Sequence, residues 1–167
     1  MRFVPIIAFQ VAWIVSALAA AQGLAWPGVM ASGLAFAAGL VLSGERRGLT
    51  RLAFASAMIG IAAESGLAAS GLVEYRAAWP HPQFAPVWLV ALWIAFAVTL
   101  EQTRRVLGSS PLAKAIVLGA FFGPAAYVAG EKLGALVIPE PRVFALAILG
   151  VIWALALAVL LALGAKR

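Results

Sequence analysis

The chain has no cysteine and no aspartate, a single histidine, and six acidic residues that are all glutamate. Without cysteine there can be no disulfide, thiol nucleophile, thiolate metal site or S-acylation. One histidine with no cysteine cannot build a conventional zinc site, and no HExxH stretch is present, so no metal or cofactor is expected. Charge is scarce too. Charged residues make up 11% of the 167 and hydrophobic ones 65%, at a mean hydropathy of +1.05. A soluble core of this size could not bury that much apolar surface. These scarcities define an all-α, polytopic integral membrane protein with one transmembrane domain over residues 1–167. The net charge of +6 does not point to nucleic acid, because the basic residues are not gathered into one patch beside aromatic platforms.

What is present is a series of apolar stretches separated by short polar ones. They predict a six-helix bundle with helices at about 3–21, 24–43, 52–73, 86–103, 113–136 and 143–163. The first stretch follows Arg2 and ends Ala19-Ala20-Ala21-Gln22, which also resembles a signal peptide. The next apolar run begins almost at once, so the pair reads as a transmembrane hairpin with a retained first helix. Pro27 and Pro86 suit helix starts, where first-turn amides lack partners anyway. Residues 74–85 hold the only histidine, His81, with Tyr75, Trp79 and Phe84 among prolines, as an interfacial segment would. Three helices in each half would have inverted topology, but Pro27-Gly28 and Gly123-Pro124 fall at different places in their helices. No repeat is read from them.

Six helices place the N-terminus, the second and fourth loops and the C-terminus on one side. That side carries Arg2, Arg46, Arg47, Arg51, Arg104, Arg105, Lys114, Lys166 and Arg167, and the other carries Arg76, Lys132 and Arg142. By the positive-inside rule both termini are expected in the cytoplasm.

The stretch from Ala115 to Ala135 is the densest in signals. Gly119 with Gly123, and Gly130 with Gly134, are pairs of small residues four apart, the spacing that lets helix backbones approach closely in lipid. With Pro124 between the pairs, this helix is expected inside the bundle, packed on the third helix, where Gly60 lies on the facing stripe of small residues. Leucine at Gly123 or Gly130 is expected to cost more folded protein than leucine at Gly39.

Glu64 stands in the middle of the third helix. A carboxylate at that depth costs at least about 2.5 kcal/mol on insertion scales and turns toward protein or water. It lies thirteen residues past Arg51, and Tyr127 lies thirteen past Lys114 on a helix running the same way, so the two share a depth. Glu131 is one turn beyond Tyr127, which makes Glu64, Tyr127 and Glu131 a candidate polar cluster. The competing reading is a carboxyl that only ties helices together. Ser65 has no second titratable group at hand to act as a nucleophile's base.

Several pieces match a known pattern. They are Gln10 to Trp13 with Trp26-Pro27-Gly28, Glu64-Ser65-Gly66-Leu67, and Pro86-x-Trp88 through Thr99-Leu100. The most specific is Gly119-Ala120-x-x-Gly123-Pro124-x-x-Tyr127-x-x-Gly130-x-x-Leu133-Gly134-Ala135. Over nearly the whole chain they resemble the small bacterial inner-membrane family catalogued as domain of unknown function 2878. In that family Asp is commoner at position 64 and Asn at position 101. The resemblance implies an inner-membrane location and, from genes near fatty-acid-modifying genes, a link to lipid work.

The first functional expectation is a non-enzymatic accessory or lipid-binding bundle in a membrane-lipid pathway. Its partners would be membrane lipids, with a second copy or a membrane enzyme beside it. The alternative is a small proton-linked carrier in which Glu64 changes protonation, and an intramembrane enzyme ranks last. Reporter fusions after Gly48, Ser109 and Arg167 are expected to read cytoplasmic, and fusions near His81 and Glu140 external. A cytoplasmic signal near His81 would overturn the six-helix topology.

Overall fold

A computed structural model of the chain describes residues 4–108 and 111–164. Arg2, Lys166 and Arg167 of the basic count, and Ser109 and Ser110, lie outside the described residues. The helices are α1 Val4–Ala21, α2 Trp26–Leu42, α3 Arg46–Ala69, α4 Val87–Phe96, α5 Leu100–Leu107, α6 Pro111–Lys132 and α7 Arg142–Gly164. A 3-10 turn at Ala97–Thr99 joins α4 and α5 into one rod, so six columns are formed. Five of them are long and apolar enough to cross a membrane. The exception, α2, has 17 residues and is about 25 Å long.

The helix boundaries follow from local chemistry. Pro27 lies in the first turn of α2 and Pro111 opens α6, where a missing amide costs nothing. At the end of α3, Gly71 takes φ +70, and the Leu72 amide turns back to the Leu67 carbonyl. Gly134, at φ +83, ends α6 in the same way, with the Ala135 amide on the Gly130 carbonyl. Glycine enters this left-handed conformation without steric cost. The two reversals send their outgoing chains together as a pair of two-residue strands, β1 Glu74–Tyr75 and β2 Leu136–Val137. They are antiparallel, with Tyr75 opposite Leu136. The sequence reading had no strand here.

Two further expectations are corrected. Arg46 to Arg51 form the first turns of α3 rather than a loop. Arginine is a good helix former, and Thr50 turns its hydroxyl onto the Arg46 carbonyl at 2.9 Å. More consequentially, α6 is not the central helix. That place belongs to α4, apolar on every side, which packs on α1, α2 and α3. Of the most apolar 18 residues of each, 44% are buried in the α4–α5 rod and only 22% in α6. α6 packs chiefly on α7, does not run along α3, and exposes Val117, Phe121 and Phe122. Small residues set how near a neighbour can come, not which neighbour or how many.

The glycines show this in detail. A Cβ at Gly119 or Gly123 would collide with Trp153 of α7, and one at Gly60 would enter the Trp93 indole. Pro124 removes an amide and leaves the Ala120 carbonyl without its helical donor, and Gly150 of α7 packs against that carbonyl. At Gly130 an added Cβ meets only Leu136 at 3.4 Å, and at Gly134 it meets Ala21 at 3.3 Å. Gly39, expected to be tolerant, would strike Val98. The ranking therefore changes. Gly39→Leu and Gly123→Leu should each cut the monodisperse fraction on size-exclusion chromatography sharply, overpacking by more than the about 1–3 kcal/mol of an added methylene. Gly130→Ala should elute like wild type.

Candidate functional site

The site grows from one face of α3. Ser56, Gly60 and Glu64 recur every four residues, so they stand one above another on the helix, and all three address Trp93 of α4. Ser56 donates to the Trp93 carbonyl at 2.5 Å, Gly60 makes room for the ring, and Glu64 Oε1 accepts the indole N–H at 2.8 Å. The far face of Trp93 stacks on Trp153 of α7, with ring centres 4.6 Å apart and planes 19° from parallel. The Trp153 ring in turn lies on Gly123, while Gly119 lies against the Trp153 backbone carbonyl. Two indoles thus fill the space between a glycine of α3 and one of α6. This is why α3 and α6 can share a site without touching along their lengths.

Glu64 is completely buried and holds more than Trp93. The Tyr127 hydroxyl donates to both carboxyl oxygens, at 2.6 and 2.7 Å. The Tyr75 hydroxyl donates to Oε2. The chain has only two tyrosines, and both end on this carboxyl. Among the described residues no cation pairs with it. Burial of an acid at this depth is compensated by three neutral donors, which is the way such a group is retained in an apolar interior.

Of the cluster read from the sequence, the structure brings Glu64 and Tyr127 together and leaves Glu131 out. One turn further along α6, Glu131 pairs with Arg142 at 2.6 Å and accepts the Ile138 amide at 2.9 Å. It is drawn off by the chain that returns through β2 into α7. Lys132 is exposed. Ser65 accepts the Ala85 amide at 3.0 Å, which fixes the loop before α4. Sequence reasoning missed Tyr75 and Trp93. The available signal was chemical: a buried carboxyl needs donors, and tyrosine and tryptophan are the side chains that carry one into an apolar core.

Beside this cluster lies a groove of about 480 Å³. Phe9, Gln10 and Trp13 of α1 form one wall, and Leu118, Phe122 and Ala126 of α6 the other. Trp93, Trp153 and Tyr127 make its floor. α1 and α6 do not pack along one another, so the groove opens sideways between them. Ala21 and Gly134 come together at one end of that opening.

Fold and site define a multi-pass helical membrane protein with a sealed polar core and a lateral aromatic groove. The chain belongs to the family described as protein of unknown function (DUF2878), whose model matches residues 3–159. No curated protein and no solved structure matches it.

The donor geometry makes a direct prediction. Glu64→Gln can keep its carbonyl on Trp93 and Tyr127 while its amide donates to Tyr75, since a tyrosine hydroxyl also accepts. It should unfold close to wild type in a detergent thermal melt. Glu64→Leu orphans three donors at about 1–3 kcal/mol each and should fail to accumulate or melt far lower. Equal stability of the two variants would remove the carboxyl from the folding core.

Proposed function

We propose that the protein is a non-enzymatic lipid-binding bundle of the bacterial inner membrane, with both termini cytoplasmic, that serves a membrane-lipid pathway. The groove between α1 and α6 carries this reading. It is lined mainly by aromatic and aliphatic side chains, it opens sideways between two apolar helices, and its volume of about 480 Å³ is in the range of small-molecule sites. In a bilayer an apolar groove gains nothing by leaving water, since lipid tails are already apolar. Holding a particular chain there depends on shape and on the few polar atoms in reach. A second copy or a membrane enzyme would be the partner that receives the lipid.

The carrier reading is less well supported. A proton-exchanging group needs access to water, whereas Glu64 is enclosed and both its oxygens are engaged by donors from three elements. An enzymatic reading draws support from no nucleophile–base pair around Glu64.

Native mass spectrometry of the protein released from lipid nanodiscs tests the proposal. Wild type should keep lipid through delipidating activation, and Ala126→Trp, which fills the groove, should lose it. A wild-type protein that emerges free of lipid would overturn the reading.

A further inference from the structure

The groove is graded in polarity along its length, and the grading resembles that of one class of lipid. On α6, Lys114, Leu118 and Phe122 follow at four-residue spacing, so Lys114 stands on the groove's face, one turn before the residues that line it. Lys114 is exposed, and its Nζ gives one hydrogen bond, to the Leu107 carbonyl at 2.6 Å. Two of its three donors remain. The groove's own lining adds Thr103 of α5 and the exposed Gln10 amide of α1. Lys114 lies about 6 Å along α6 before Leu118, where that helix's share of the lining begins. Beyond them the lining is almost wholly aromatic and aliphatic as far as Gly130. From Leu118 to Gly130 the groove runs about 18 Å, about three-fifths of the roughly 30 Å hydrocarbon core. The far end is closed by Leu136 and by the Ala21–Gly134 contact.

We infer that the occupant is an anionic glycerophospholipid of the cytoplasmic leaflet. Its phosphate meets Lys114, its ester carbonyls lie level with the Gln10 amide, and one acyl chain lies along Phe122 and Trp153. This rests on the lipid-binding reading of the groove and adds the leaflet and the charge of the headgroup. A lysine near the membrane surface attracts an anionic lipid by about 1 kcal/mol, about fivefold in occupancy.

The test uses the full chain in nanodiscs of equimolar phosphatidylethanolamine and phosphatidylglycerol, with bound lipid identified by native mass spectrometry. Wild type should retain phosphatidylglycerol about fivefold over phosphatidylethanolamine. Lys114→Gln, which can still donate to the Leu107 carbonyl and so keep the fold, should bind lipid with no preference, and Lys114→Arg should restore it. Ala126→Trp should release both lipids. An unchanged preference in Lys114→Gln, or none in wild type, overturns the headgroup inference and leaves the groove standing. Lipid retained by Ala126→Trp, or absent from wild type, overturns both.

Discussion

A carboxyl group shut away from water is the condition that the rest of this bundle meets. Glu64 takes its donors from β1, α4 and α6 while standing on α3, so four separate elements are referred to one side chain. The strand pair is part of the same arrangement. Tyr75 reaches the carboxyl because β1 is pinned to β2, and β2 is placed by the reversal at Gly134 that ends α6. A loop that reads as an interfacial connector is therefore a structural member of the core.

The apolar half of the construction is the Trp93–Trp153 stack. Indoles are large and flat, and they occupy the space that the glycines leave open. The close approach in this bundle is thus between backbone and ring as much as between backbones. It also floors the groove. Trp93 and Trp153, stacked on one another, back the gap between α1 and α6, two helices that do not pack along one another. In lipid, helices have no hydrophobic driving force between them and are held by packing and hydrogen bonds, which here the stacked rings supply behind the opening.

Much of this was legible in the sequence, for reasons that differ residue by residue. The six columns followed from the length and spacing of the apolar runs. Counting residues inward from flanking charges put Glu64 and Tyr127 at one depth, because depth in a bilayer is a coordinate that a helix converts directly from residue number. Depth does not fix azimuth or neighbour. Glu131 had the right face and missed the cluster, because the returning chain brought Arg142 within reach first. Gly119 and Gly123 press on α7 and not on α3 as expected, since a small residue carries no label for what will fill its gap. Tyr75 lay beyond depth counting altogether, its position being set by a strand pairing across sixty residues of chain.

The sequence separations around Glu64 have a consequence for synthesis. Its donors follow it by 11, 29 and 63 residues, so Glu64 is synthesised before any of them. At about 5–20 residues per second, the last arrives roughly 3 to 13 s later. Through that interval the nascent chain must keep an acidic group in or near the bilayer with its final partners unmade. α1 and α2 precede it in the chain, and among the described residues they give the carboxyl no hydrogen bond. The third helix is therefore the vulnerable moment of biogenesis, when insertion chaperones or delayed membrane entry would have their effect.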